Sequence, residues 1–426
     1  MFKKFLLLFA IACTFGTIAH SQDTTELKKP KVEFSGFLRL DYWYDSRMNA
    51  ESLDGLFIFY PLPIKLDADL VDINANDAIN ALALGTRLRT NITMPKVFNA
   101  KPSILVEADF TGMSTIVHMR FRHAFAKFVW NNGTELNAGL TWHPMFVTEV
   151  FPHVASLNTG APFQSFNRSP QITIKQPLAP GLKLILSALS QSDYKNIGPE
   201  FDNTKPISSV NYQRYSLVPN LHAQLQYANK AITAGLAADY KNQRPLLVTR
   251  SITTPANTYS TNERIKSLSY MAYLKVQTGL LTAKFKGMLG QNLADHLMLG
   301  GYAVSTIENL TGKQTYTPLN HVFAQANFTY GKNIMPGIFI GYAKNLGASD
   351  NVVNDGNKIY ARGADIAQLY RITPNLTYKN KSLTLIAEVE HTIAAYGTID
   401  LTQKAKVINT TNVSNTRALI VVQYDF

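Results

Sequence analysis

The sequence predicts an all-β chain closed into an antiparallel, up-and-down barrel of about sixteen strands that crosses a membrane and carries long loops on its outer rim. Three observations predict it. Apolar and polar side chains alternate with a period of two along most of the 426 residues. Very short connections alternate with long polar ones. The last alternating segment ends on an aromatic residue, Phe426.

The N-terminus reads as a cleaved signal peptide over residues 1–21: Lys3 and Lys4 precede an apolar run from Phe5 to Ile18, and Ala19 and Ser21 are small residues before a cut at Gln22. Residues 22–31 then form a short segment ahead of a barrel spanning 32–426. After the cut no apolar run reaches the roughly 18 residues a membrane helix needs. Cys13, in the leader, is the only cysteine, so thiol catalysis, disulfides and thiolate metal sites are excluded from the mature chain. Loss of Lys3 and Lys4 lowers the formal net charge of +12 by two. The remaining basic residues are scattered singly along strands, without the basic block or zinc pattern of a nucleic-acid binder.

The alternation is explicit. Phe34, Leu38, Leu40, Tyr42 and Tyr44 oppose Glu33, Ser35, Arg39, Asp41 and Asp45. Leu82, Leu84, Leu88 and Ile92 oppose Arg87, Arg89 and Asn91, and Ile104, Val106, Ala108 and Phe110 oppose Ser103, Glu107 and Asp109. Leu281, Ala283 and Phe285 oppose Thr282, Lys284 and Lys286, and Leu383, Leu385 and Val389 oppose Thr384, Glu388 and Glu390. Tight turns are expected near Asn131–Gly133, Ala179–Gly181, Ala228–Lys230, Gln277–Gly279, Gly331–Asn333 and Lys379–Lys381. The long loops are Arg47–Asp77, Pro144–Ser169, Gln191–Gln213, Asn242–Asn262, Ala294–Thr315, Leu346–Gly363 and Tyr396–Asn412.

Alternation also suits a soluble sandwich. Size decides, because a barrel of about sixteen strands is too wide for side chains to fill. Its lumen holds water, so the polar rows face in and the apolar rows face lipid, while closure pairs every backbone group. Tyr42, Tyr44, Phe110, Trp130, Trp142, Tyr227, Tyr240, Tyr330, Tyr342 and Tyr378 sit near strand ends, where interfacial girdles want aromatic rings. Ala418, Ile420, Val422, Tyr424 and Phe426 make one apolar face, and Tyr424 and Phe426 resemble the signal read by the machinery that inserts outer-membrane barrels.

A further resemblance runs from Gly36 to about Gly198. It is carried by Gly36-Phe37-Leu38-Arg39-Leu40-Asp41, Thr86-Arg87-Leu88-Arg89, Glu107-Ala108-Asp109-Phe110, Arg120-Phe121-Arg122-His123-Ala124-Phe125, Ala138–Trp142, Asn158–Pro162 and Arg168–Ile172. These stretches resemble the DcaP-like porins and, more loosely, general trimeric bacterial porins. The resemblance implies a sixteen-stranded homotrimer in the outer membrane of a Gram-negative bacterium, passing small anionic solutes such as dicarboxylates. Members can carry an N-terminal coiled coil. Residues 22–31 hold no heptads, so the barrel walls would hold any trimer.

The lumen assignment turns Arg39, Arg87, Arg89, Arg120, Arg122, Lys175, Lys183, Lys275, Lys284, Lys286, Arg371 and Arg417 inward, beside the acids Asp41, Glu107, Asp109, Asp239, Glu388 and Glu390. Two readings follow: a neutralised wall network that stiffens the barrel, or a basic ladder that steers anions across a constriction. The loop Pro144–Ser169 is the candidate constriction. It mixes Met145, Phe146, Val147, Phe151 and Phe163 with Glu149 and His153, and packing against the lumen wall would hide its apolar residues. The spacing of His123, His143 and His153 fits no metal template, and His123 falls on the outward face. No cofactor is implied. The sequence reads as a passive porin and not an enzyme, since no motif joins Ser, His and Asp at a rim. The alternative is a plugged barrel serving as an adhesin or as part of a surface or secretion complex.

Overall fold

The computed structural model describes residues 29–112, 118–201 and 203–426. The expected signal peptide, the segment as far as residue 28, residues 113–117 and Asp202 lie outside the described residues. Sixteen antiparallel strands form the barrel. β1 is Lys31–Asp45, and β2 has two pieces, Ala78–Leu82 and Arg87–Thr93. β3 is Ala100–Gly112, β4 His118–Trp130, β5 Glu135–Trp142, β6 Arg168–Ala179, β7 Leu182–Leu189 and β8 Asn220–Ala228. β9 is Ile232–Gln243, β10 Ile265–Thr278, β11 Leu281–Gln291 and β12 Gln314–Tyr330. β13 is Ile334–Ala348, β14 Ile366–Asn380, β15 Leu383–Asp400 and β16 Lys406–Asp425.

The sheet closes because β1 pairs with β2 on one side and with β16 on the other, from Phe37↔Asp425 to Asp45↔Arg417. Phe426 completes the seam by exchanging both backbone hydrogen bonds with Gly36, each at 3.0 Å. The tight turns fall where the sequence places them. At one of them Gly181 adopts φ +77°, and a Cβ there would stand 2.7 Å from the carbonyl oxygen of Ala228, so only glycine fits.

The two faces are as the alternation predicts. On β1, Leu38, Leu40, Tyr42 and Tyr44 are exposed while Arg39, Asp41 and Asp45 are buried. On β16, Ile420, Val422 and Tyr424 point out and Arg417, Leu419 and Val421 point in. Apolar rows outside and buried charges inside are stable only with hydrocarbon on the outer surface. Exposed Tyr42, Tyr44, Tyr227, Tyr330, Tyr378 and Tyr424 lie near the ends of the outward rows. Trp142 corrects the girdle expectation: it faces the lumen and stacks on Phe146 with centroids 3.9 Å apart.

Three other details depart from the alternation. In β2, four residues (83–86) oppose three of β1 between the pairs Asp41↔Leu82 and Phe37↔Arg87. That extra residue flips the face, so Leu82 pairs with inward Asp41 and packs, with Leu84, on the cluster of Trp43, Leu56 and Leu419. In β4 the register passes from Glu107↔His123 to Ala108↔Phe121, which leaves Arg122 as a bulge. His123 is thereby turned inward, not outward, and its Nδ1 lies 3.1 Å from Thr141 Oγ1. Finally, 396–412 is not one loop: the ladder runs on through Tyr396↔Thr411 to Asp400↔Lys406. Above the membrane both faces of this hairpin meet water, so the apolar contrast that marks a strand fades.

Two loops fold into the barrel. One carries the hairpin Asn49–Ser52/Phe57–Pro61; the other is 143–167, opening with the 3₁₀ turn Pro144–Phe146. Their apolar residues (Phe57, Phe59, Met145, Phe146, Phe163, Phe166) join Met271, Met288, Phe323 and Phe339 of the wall in the largest core cluster. The core thus lies inside the barrel, on the side of β9–β15.

The orientation makes a direct prediction. Ile420→Arg places a charge in hydrocarbon and should cost about 2–4 kcal/mol of folding free energy in lipid vesicles. Arginine at the inward neighbour Gln423 should cost under about 1 kcal/mol. Equal losses in urea titrations of the two variants would contradict the assignment.

Candidate functional site

The site is the inner wall of β1–β6 facing the loop 143–167. Pairing of β2, β3 and β4 sets Arg87 opposite Asp109, Arg89 opposite Glu107 and Asp109 opposite Arg120. Glu107 accepts hydrogen bonds from Arg89 and, at 2.8 Å, from Arg122 Nε, with Arg87 4.0 Å away. Asp109 accepts from Arg120 Nε at 2.9 Å and from Arg122 Nη1 at 3.0 Å. The four arginines therefore share two carboxylates. The carboxylates are buried, whereas Arg87, Arg89 and Arg120 remain partly exposed, Arg89 to 45%. The uncompensated positive charge accordingly lies on the solvent side of the network.

Sequence reasoning passed over a fifth guanidinium. Arg168 opens β6 across from Trp142 and is fully buried. It lies over the Trp142 ring at 5.0 Å and 3.4 Å from Asp193 Oδ2. Its Nε and Nη1 find no hydrogen-bond partner among the described residues. Alternation gives no signal for it, since Arg168 shares its parity on β6 with the exposed Ile172 and Ile174.

The remaining basic residues of the lumen assignment do other things. Lys284 Nζ donates to the carbonyl of Phe151 at 2.9 Å and Lys286 Nζ to that of Met145. Arg371 donates to the carbonyls of Ala161 and Phe59, each at 2.8 Å, and pairs with Glu390 at 3.2 Å. Arg417 holds Asp45 at 2.5 Å and the carbonyl of Gly55 at 2.7 Å. Arg39 pairs with Asp41 at 2.5 Å and donates to the carbonyl of Ala155 at 2.6 Å. Glu388 accepts from the amides of Ala155 and Ser156, and Glu390 from Asn158 Nδ2 at 3.1 Å. These side chains clamp the two inward loops to the wall.

In the constriction loop, Met145 and Phe146 are buried, Phe151 is 38% exposed, and Glu149 is exposed. The His153 backbone amide donates to Asn327 Oδ1 at 2.9 Å, and the ring Nε2 lies 2.9 Å from Thr377 Oγ1. Burial lowers the pKa of this imidazole, so the ring is neutral at pH 7 and adds no charge to the constriction. Lys175, with Lys127, pairs with Glu135, at 2.6 and 3.0 Å. Together with Lys183, Glu149 and Gln224 they line a cavity of 220 Å³ between the loop and the wall. Tyr424 and Phe426 are exposed on the outside of the seam.

A closed sixteen-stranded antiparallel barrel with two loops clamped inside its lumen has the fold of the porin-type barrels. Neither a protein-family model nor a curated protein matches the sequence. Among solved structures the chain is similar to the outer membrane channel DcaP of Acinetobacter baumannii, at 16% identity and a TM-score of 0.65, over 93% of this chain and 97% of that one. It is also similar to OmpT, an outer membrane protein of Vibrio cholerae (9% identity, TM-score 0.54, 94% and 100% of the two chains). OmpF of Salmonella typhi, in complex with daunomycin, follows at 9% identity and a TM-score of 0.51, over 93% and 97%. At these identities the likeness is one of fold, and it extends over almost the whole chain.

The clamps give a measurable prediction. Arg371→Ala leaves Glu390 buried without its cation and frees two loop carbonyls, a loss of about 3–5 kcal/mol. The variant should unfold at lower denaturant and its loops should become sensitive to added protease. An unchanged unfolding midpoint would contradict the anchoring role.

Proposed function

We propose that the chain is an outer-membrane porin for passive diffusion of small hydrophilic anions, carboxylates above all. The observation that carries the reading is the surplus of arginine over carboxylate on the inner wall of β2–β4, facing the loop that narrows the lumen. A narrow aqueous slot with low-dielectric walls concentrates such a field. Guanidinium groups match a carboxylate in two-point hydrogen bonding. Glu107 and Asp109 hold the guanidinium groups in place and temper their grip, and weak, repeated binding is what lets a solute leave as well as enter. The basic cavity around Lys127, Lys175 and Lys183 offers a second station.

Homotrimer formation in the outer membrane, after removal of a signal peptide over 1–21 and insertion through a signal ending in Tyr424 and Phe426, completes the reading. It is supported by the resemblance to trimeric porins and by the trimer form of the OmpT barrel. Permeation needs no cofactor and no catalytic residue. One observation favours a plugged barrel instead: the hairpin at 49–61 and the loop 143–167 fill the β9–β15 side of the lumen.

Planar-bilayer recording separates the two. A stable conductance whose reversal potential in a KCl gradient shows anion preference is expected, and Arg89→Gln with Arg120→Gln should lower the anion-to-cation permeability ratio by about two- to tenfold. Absence of conductance would favour the plug, and cation preference would remove the anion reading.

A further inference from the structure

A cluster the pore reading does not use lies where loop 143–167 leaves the wall. His222 on β8 and Asp239 on β9 are cross-strand partners, so their side chains share the inner face. His143, just beyond β5, reaches the same point. His143 Nε2 is 3.4 Å and His222 Nδ1 3.3 Å from one oxygen, Asp239 Oδ2. The three ligand atoms lie within 4.8 Å of one another, and all three residues are buried. Their spacing along the chain matches no template because two neighbouring strands and a loop donate them.

Three features call for a cation there. First, His143 Nε2 and Asp239 Oδ1 have no hydrogen-bond partner among the described residues, and such burial costs about 1–3 kcal/mol per group. Second, Gln224 gives its amide nitrogen to Tyr273 at 2.6 Å and turns its oxygen to His222 Nε2 at 3.1 Å. An Nε2 proton fits that contact, and in the neutral ring this leaves Nδ1, 3.3 Å from Asp239 Oδ2, as the nitrogen that can ligate a cation. Third, a tetrahedral ion with bonds of about 2.0–2.1 Å has ligand–ligand edges of about 3.3–3.4 Å, the two separations seen. Lys241 does not serve as that cation, because it is bound to Asp295 at 2.6 Å and to the carbonyl of Asn292. His296 packs edge-on against His143 at 4.6 Å and steadies its ring.

The geometry points to a first-row transition-metal site of the Zn²⁺ type, with His143 Nε2, His222 Nδ1 and Asp239 as ligands and a fourth position open. The 220 Å³ cavity lined by His143, Gln224 and Gln226 gives a route to it. Coordination moves the His143 proton to Nδ1 and displaces the 3.2 Å contact from the Met145 amide. The ion would tie the root of the constriction loop to β8 and β9, whether or not the pore favours anions.

The test uses the folded, tag-free protein in detergent, stripped with chelator and titrated with Co²⁺ or Zn²⁺ alone. Expected are uptake of one equivalent per chain, with visible absorption from bound Co²⁺, and binding at least about tenfold weaker in His222→Gln and Asp239→Asn. His118→Gln should bind as the wild type does. No stoichiometric uptake by the wild type, or undiminished uptake by both site variants, overturns the proposal. If those variants fail to fold, X-ray absorption of the Zn²⁺-loaded wild type decides: two imidazole nitrogens at about 2.0–2.1 Å support it, and fewer overturn it.

Discussion

Closure of the sheet is the constraint on which everything else depends. In hydrocarbon an unpaired backbone group costs several kcal/mol, so the first strand must meet the last. The β1–β16 ladder and the Gly36–Phe426 exchange do this. Closure at this strand number also makes the interior too wide for strand side chains to fill. What remains is a ring of inward polar residues whose charges need partners and two long loops whose apolar residues need cover. The structure meets both needs at once, since loop carbonyls and amides satisfy wall charges while loop phenylalanines pack on wall methionines.

That economy divides the lumen. On the side of β11–β16, together with Arg39, cations bind loop carbonyls and glutamates bind loop amides, so those charges work as anchors. On the side of β2–β4, among the described residues, Arg89, Arg120 and Arg122 pair with Glu107 and Asp109, and Arg120 also meets the Tyr194 hydroxyl. The excess is left facing water. Charge selectivity in this reading follows from which wall charges the two inward loops leave unclamped.

The barrel was legible in the sequence because period-two alternation is a strong signal wherever one face meets lipid and the other water. The rows through Leu38–Tyr44 and Leu383–Val389, and the glycine turn at Gly181, were readable from residue type alone. The signal failed where the physics that generates it fails. At 396–412 both faces are wet, so a true hairpin read as a loop. At Leu82 and His123 a single extra residue reversed the faces, and no composition marks such a slip. The site was half legible. Alternation could say that Lys286, Arg371 and Arg89 all point inward, but not that the first two meet loop carbonyls and the third does not. That difference depends on contacts more than a hundred residues apart in sequence. The apolar run Leu56–Tyr60 did carry a trace of the inward hairpin, since an exposed loop has no use for it.

The bulge at Arg122 shows how one such slip shapes the chemistry. Without it, Arg122 would keep strict register on β4 and oppose a single residue of β3. As the unpaired residue between the Glu107↔His123 and Ala108↔Phe121 pairs, it sits between the two acids and donates to both, at 2.8 and 3.0 Å. One buried guanidinium thus goes far toward satisfying two buried carboxylates. Arg120, Arg87 and Arg89 are released from full neutralisation and keep part of their charge at the water. The same slip turns His123 inward to close the wall beside Trp142, 5.6 Å between ring centroids. A register irregularity that would be a defect in a uniform sheet is here what separates the charges that hold the barrel together from those that face the lumen.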